Sequence, residues 1–113
     1  MTISYSSFFV PVVLSVTATT LFTIPAQPTT MLLRGGRMRL TNTTGTPATV
    51  TVYNVAPAGT ASTSNAFVSS KTVGANDYLD VDVPIAPAGG FIQALAGTAT
   101  SITAHMLSGS YFS

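Results

Sequence analysis

The sequence predicts an all-β protein, a single-domain antiparallel β-sandwich of the jelly-roll or Ig-like type with about eight short strands. No stretch of a dozen residues escapes Gly, Pro or a cluster of β-branched residues, all of which disfavour helices. Short apolar runs alternate with Thr and Ser, and turn residues recur at spacings of roughly 8 to 12 residues. The length of 113 residues suits one domain, and no linker divides it.

The strand pattern begins with a nearly continuous apolar run, in which Pro11 cannot donate a ladder hydrogen bond and therefore favours a sheet edge or a bend. We accordingly divide the chain into an N-terminal arm or edge strand over residues 1–19, which we expect to contact partners, and a β-sandwich domain over residues 20–113. Gly35-Gly36 should bend or bulge its strand. The predicted strands cover residues 5–16, 20–24, 31–41, 48–55, 66–73, 78–83, 90–96 and 101–107.

Two strands carry charged residues with a period of two. Arg37 and Arg39 share one side of their strand, and Asp80 and Asp82 share one side of another. If these strands are neighbours, the four residues form a cross-strand ladder of ion pairs; they could equally pair between subunits. The Asp residues together with Asp77 could also bind Ca²⁺, but they lack EF-hand spacing, so we predict ion pairs and no metal site.

The chain is unusually poor in charge, and this limits its partners. Only 6% of residues are charged, against roughly 25% in an average domain, and none is Glu. Four cations are too few for a phosphate-binding surface, so we expect no nucleic-acid partner, even at Arg34-Gly35-Gly36-Arg37. The longest apolar stretch, Phe8–Leu14, is too short to span a membrane. We infer that neighbouring protein chains cover much of the surface.

Residues suited to catalysis are scarce. His105 is the only histidine, there is no cysteine, and no Gly-x-Ser-x-Gly motif is present. We therefore predict no enzymatic activity, no cofactor and a surface or interface role for His105. Asn42-Thr43-Thr44 matches a glycosylation sequon but reads better as part of a turn. Phe8–Leu14 could also be the core of a signal peptide, but no Lys or Arg precedes it, so we expect it to be retained.

Several segments of the sequence form a recognisable pattern. The segment Leu40–Tyr53, LTNTTGTPATVTVY, is the most recognisable, and Leu21–Ala26, LFTIPA, precedes it. In this order the two segments resemble small virion proteins of tailed bacteriophages. Gly74–Val83, GANDYLDVDV, and Phe91–Ala94 are also similar, so that the resemblance extends over roughly residues 20–107. The run from Phe8 to Val16 is not part of the recognised pattern.

This resemblance implies a structural protein of the virion, assembled in the host cytoplasm. Such subunits are β-sandwiches or jelly rolls, commonly homo-oligomers and often trimers. A capsid decoration or head-associated subunit is the favoured role, with the major capsid, neck or tail proteins as partners. Placement at the neck, the spike base or the tail is the close alternative.

Contact residues can be proposed from the exposed apolar and aromatic positions and the two chain ends. The alternative function is a tail-associated module that binds carbohydrate or a host receptor, since tyrosine rings can stack on sugars. The loops at 56–64 and 84–89 would then carry the site, although their side chains are mostly small. The candidate interface residues are Phe8, Phe9, Val10, Val12, Tyr53, Tyr78, Tyr111 and Phe112.

Overall fold

The computed structural model describes residues 3–5, 11–24, 32–84 and 86–112. They form two antiparallel β-sheets and no helix, which confirms the predicted all-β sandwich. The strands are β1 (Ile3–Tyr5), β2 (Val12–Val13), β3 (Thr19–Thr23), β4 (Leu32–Asn42), β5 (Ala48–Val55), β6 (Ala66–Val73), β7 (Tyr78–Val83), β8 (Ala86–Pro87), β9 (Phe91–Ala96) and β10 (Ile102–Phe112).

The strand order identifies the sandwich as a jelly roll. The larger sheet runs β1-β10-β4-β7, with the short β2 beside β10 and the short β8 beside β4. The smaller sheet runs β3-β9-β5-β6. Strands pair from the chain ends inward, as β1 with β10, β3 with β9, β4 with β7 and β5 with β6. This nested ribbon, folded over into two sheets, is the jelly-roll arrangement and not the Ig-like one.

The core lies between the two sheets and follows the alternation of each strand. In β4, Met38 and Leu40 are fully buried, whereas Arg37 and Arg39 on the opposite side are not. In the smaller sheet, Val50 and the inward residues of β9 meet them. Each fully buried Val, Leu, Ile or Met contributes roughly 1.5 to 3 kcal/mol relative to exposure. The core is completed by Leu14, Leu21, Phe22, Ile24, Ala48, Val52, Val73, Val81, Val83, Ile92, Ala94, Ala96, Ile102 and Ala104.

Several strand limits differ from the predicted ones. β4 is continuous through Gly35-Gly36, and the expected irregularity appears as a register shift in which Arg34 is the extra residue. β10 continues to Phe112, well past the predicted end at Leu107, because residues 108–112 pair with β4 and residues 110–112 also pair with β1. A second shift makes Leu107 an extra residue of β10 opposite Arg37. These differences arise from pairing between distant strands, which local composition does not encode.

The segment predicted as an arm or edge strand supplies part of the sandwich. Val12 and Val13 pair with Ala104 and Thr103 of β10. Leu14 is 1% exposed within the core. The described part of the chain contains no helix with the length and apolarity needed to cross a lipid bilayer.

Asn42 ends β4 and organises the turn that follows. Its side chain is fully buried, and its Nδ2 donates to the carbonyls of Thr46 at 2.8 Å and Val73 at 3.1 Å. Its Oδ1 accepts hydrogen bonds from the backbone N–H and the hydroxyl of Thr44. The predicted turn is present, but Asn42 is its buried anchor and not an exposed turn residue.

Strand β6 forms one edge of the smaller sheet and is irregular. Two register shifts interrupt its pairing with β5, and Ser70 has a φ of 47°, a left-handed value that is uncommon outside Gly. The backbone N–H of Ser70 donates to Thr51 Oγ1. Lys71 pairs in register with the buried Val50, so the two side chains leave the strands on the same side. A bulged edge with an inward-directed charge resists the addition of another strand.

Candidate interaction surface

The outer side of the larger sheet collects most of the residues singled out from the sequence. One row crosses four strands through Val13, Thr103, Thr41 and Tyr78. The next row crosses three strands through His105, Arg39 and Asp80. A third row contains Arg37 and Asp82, with Leu107 and Ser108 of β10 at its end. We call this surface the charged face and define it by Val13, Arg37, Arg39, Thr41, Tyr78, Asp80, Asp82, Thr103, His105 and Leu107.

The Arg39–Asp80 pair is the most ordered feature of the charged face. Arg39 Nε donates to Asp80 Oδ1 at 2.7 Å, and Nη2 donates to Oδ2 at 3.0 Å, so the contact is bidentate. The guanidinium also lies over the Tyr78 ring, 4.0 Å from its centroid. The hydrogen bond from Arg39 lowers the pKa of Asp80, and the same bond raises the pKa of Arg39. The pair is therefore ionised throughout the neutral range.

The second pair, Arg37 and Asp82, is looser. A single contact of 3.3 Å joins Arg37 Nε to Asp82 Oδ1, and the side chains are 55% and 82% exposed. The structure thus brings together both Arg–Asp pairs named from the sequence, as opposite residues on the neighbouring strands β4 and β7. The arginines form one column along β4, and the aspartates form a parallel column along β7.

Large apolar side chains flank these columns. Four such residues are exposed in the described part of the chain, and three of them belong to the charged face: Val13 at 55%, Tyr78 at 53% and Leu107 at 46%. The fourth, Val16, follows β2. Tyr78 was among the predicted interface residues, whereas Val13 and Leu107 were not. Val13 was hidden inside an apolar run, and Leu107 is exposed at a bulge that no sequence signal marks.

His105 and the aspartates do not assemble a metal centre in the described residues. His105 stands opposite Arg39 in the register, a cationic neighbour. Asp80 and Asp82 are engaged by arginines, and Asp77 Oδ1 accepts the backbone N–H of Tyr78. No group of three or more potential metal ligands occurs among the residues that the structure describes.

The two tyrosines named as candidates lie on different sheets. Tyr78 belongs to β7 of the larger sheet, whereas Tyr53 belongs to β5 of the smaller one. Tyr53 is half-buried and pairs in register with Gln93, on the side away from the core. The two rings therefore do not form one stacking platform, and Arg39 already covers one side of the Tyr78 ring.

The remaining candidates concern the two chain ends. Phe8, Phe9 and Val10 lie outside the described residues. Val12 packs against the core, so within β2 it is the neighbouring Val13 that faces solvent. Tyr111 and Phe112 belong by their backbone to β10, where they pair with β1 and β4, and so they are not a free tail.

A shallow groove of about 420 Å³ separates the edge strands β6 and β7, where one sheet meets the other. Phe67, Val68 and Leu79 line it and pack only partly against the core. Lys71 lies at the same groove. The groove marks an incompletely closed side of the sandwich.

Comparison with known proteins gives a likeness of fold. No family model matches the sequence, and no curated protein matches it. Among solved structures, the chain is similar to a chain in the structure of infectious bursal disease virus, Gx strain, with a TM-score of 0.51 and 14% sequence identity. The match covers 97% of this chain but 30% of the viral chain.

Proposed function

We propose that this chain is a non-enzymatic structural protein of a virus particle, a capsid decoration or head-associated subunit of a tailed bacteriophage that acts by packing against neighbouring subunits. The observation that carries the proposal is the charged face. On a chain with seven charged residues, that surface gathers four of them and three of the exposed large apolar side chains. Such a combination suits a protein interface with apolar anchors and orienting charges.

The fold supports this assignment from a second direction. Jelly rolls recur in viral capsid proteins. A solved structure similar to this chain comes from a virus, and the likeness extends over nearly the whole chain. The segment LTNTTGTPATVTVY, which resembles part of those phage virion proteins, forms one continuous unit: the end of β4, the Asn42-anchored turn and most of β5.

The proposal is tested on purified particles. Density-gradient fractions from lysates that contain the chain should carry it in fixed stoichiometry to the major capsid protein, measured by quantitative mass spectrometry. Many copies per particle, with matching density on the capsid surface in electron-microscope images, would support decoration. A few copies at one vertex would move the protein to the neck or tail. A chain found entirely in the particle-free fractions would refute the virion role.

A receptor-binding function is the second candidate, because the exposed Tyr78 offers an aromatic surface and jelly rolls also occur in lectins. Glycan-array binding by the purified protein, abolished by Tyr78→Ala but unaffected by Tyr53→Ala, would favour it. The Tyr53 variant is the matched control, since that residue lies on the other sheet. Absence of glycan binding at micromolar protein leaves the packing function as the better account.

A further inference from the structure

We propose that the charged face is the surface through which two copies of this chain pair, related by a two-fold axis that runs parallel to the strands between β4 and β7. In this arrangement the arginine column of each copy faces the aspartate column of the other. The inference rests on the proposed packing function and names its first partner, a second copy.

The charges of this face are arranged in two columns of opposite sign. Arg37 and Arg39 stand two residues apart along β4, and Asp82 and Asp80 stand directly opposite them on β7. The face therefore carries two adjacent columns of opposite sign, separated by one strand spacing of about 4.8 Å. Outside this face, the charged residues whose side chains are described are Lys71 and Asp77.

Symmetry then selects one pairing. A surface with two adjacent columns of opposite sign complements itself when it is turned over about the line between the columns. This rotation keeps each row in place and exchanges the columns, so Arg39 faces the Asp80 position and Arg37 faces the Asp82 position of the second copy. An axis lying across the strands would place arginine over arginine, and like charges juxtaposed in an interface are strongly disfavoured.

Tyr78 is the large apolar residue of the face that this geometry brings to the second copy, because Val13 and Leu107 lie on the side of β4 away from β7. Tyr78 occupies the row next to Arg39 and Asp80, so the rotation places its ring against Thr41 of the second copy. The aromatic side chain would supply contact area, while the charges would set orientation more than affinity, since pairing them costs desolvation. Pairing through sheet edges is less favourable, because β6 is bulged and Asp80 and Asp82 would meet their own copies along β7.

Charge-column variants test the pairing. The variant with Arg37→Asp and Arg39→Asp carries an all-acidic face, and the variant with Asp80→Arg and Asp82→Arg carries an all-basic one. Analytical ultracentrifugation should show that the wild-type chain forms dimers. For each variant alone, the dimer dissociation constant should rise by about tenfold or more. An equimolar mixture of the two variants should recover the dimer. Circular dichroism establishes that each variant is folded.

A second measurement does not depend on the charge-reversal variants being folded. The chain has no cysteine, so Thr103→Cys and Thr20→Cys each allow one spin label on otherwise unchanged columns. Thr103 lies on the charged face and Thr20 lies on the smaller sheet, beside Gln93. Double electron–electron resonance should give a shorter distance between the labels of the two copies when the label is at position 103 than when it is at position 20.

Three outcomes would overturn the inference: a wild-type chain that stays monomeric at high concentration, a variant mixture that does not associate, or a shorter distance from the Thr20 label. None of these results tests whether the chain belongs to a virus particle. Particle fractionation decides the proposed function, so the two failures are distinguishable.

Discussion

At the scale of single residues, Asn42 shows how one buried side chain can hold a turn. Its amide makes four hydrogen bonds: Nδ2 donates to the carbonyls of Thr46 and the distant Val73, and Oδ1 accepts from the backbone N–H and the hydroxyl of Thr44. The carbonyl of Thr46 also accepts from the Thr44 hydroxyl, whereas the carbonyl of the buried Val73 would lose the Asn42 donor. A buried polar group left unsatisfied costs roughly 1 to 3 kcal/mol. The turn after β4 and its attachment to β6 therefore depend on this residue.

We expect Asn42→Ala to lower the free energy of unfolding by about 1 to 3 kcal/mol, because the buried carbonyl of Val73 loses the Asn42 donor and Thr44 loses its acceptor. Asn42→Asp should be destabilising in a pH-dependent way. Burial beside two carbonyls raises the pKa of the new carboxyl above its unfolded value. The loss in free energy of unfolding relative to wild type should be small below a pH of about 4 and should grow as the pH rises. Urea unfolding at several pH values measures this dependence. A pH-independent penalty would contradict this account.

Thr100 is strained, because it is β-branched and has a φ of 60°. The left-handed conformation costs roughly 1 to 2 kcal/mol in such residues, partly offset for Gly by the entropy of the unfolded chain. We expect Thr100→Gly to be neutral to stabilising by about 1 kcal/mol, measured by thermal unfolding. The neighbouring Ala99→Gly, at a position without positive φ, is the control and should be destabilising. A clear loss of stability in Thr100→Gly would argue against the strain.

At the scale of elements, β4 and β7 show what alternation in a sequence can predict. The period of two placed Met38 and Leu40 in the core and both Arg–Asp sets on the other side, and the register between the strands pairs them. Pairing partners could be suggested there because opposite charges shared one spacing. For β10 there was no such signal: residues 108–112 contain Ser and Gly and acquire strand structure only from β1 and β4.

The candidate surface was predictable to a similar extent. The charges and Tyr78 follow from local alternation, and their assembly on one face needs only the adjacency of β4 and β7. Val13, His105 and Leu107 join the same face through β10, whose position beside β4 is set by contacts between residues far apart in the chain. Bulges move the alternation by one residue, as at Leu107, and composition does not reveal them.

The Arg39–Asp80 pair should make stability depend on pH in one direction. The pKa of Asp80 is lowered in the folded protein by its hydrogen bond from Arg39, so the pair stabilises the fold above the unfolded pKa and loses its effect as the pH falls through the folded pKa. We expect Asp80→Asn to melt at a slightly lower temperature than wild type at pH 6, with the difference shrinking below pH of about 4. A difference that is constant down to pH 2 would exclude this cause.

Edge protection by Lys71 gives a test of β6. Its side chain leaves the strand on the side of the buried Val50, at a sheet edge. We expect Lys71→Val to increase aggregation of the purified protein, followed by light scattering during incubation, because an apolar edge residue invites strand addition. Thr72→Val is the matched control, since Thr72 pairs with Thr49 on the other side. Equal aggregation of both variants would assign the effect to hydrophobicity alone.

At the scale of the whole molecule, the nested pairing sets how the protein folds. β1 pairs with β10 and β3 with β9, so the outer pairs join residues from opposite ends of the described chain, whereas β5 and β6 are sequence neighbours. Pairing these outer strands costs the most loop-closure entropy, because the chain between them is longest. Jelly rolls of this kind belong to the slowly folding β-proteins, in the range of milliseconds to seconds.

β1 and β10 are adjacent, and Ile3 lies opposite Phe112. We therefore expect the fold to tolerate a different position of the chain ends. A circularly permuted gene, with the old ends bridged by a short Gly-Ser spacer and new ends opened in the 56–65 connection, should yield the same sandwich. Overlapping amide NMR spectra of the permuted and native proteins would demonstrate it. Loss of signal dispersion in the permuted protein would show that the native strand order along the chain is required for folding. A permuted subunit would carry any fused peptide at the β5–β6 connection and no longer at the ends of β1 and β10.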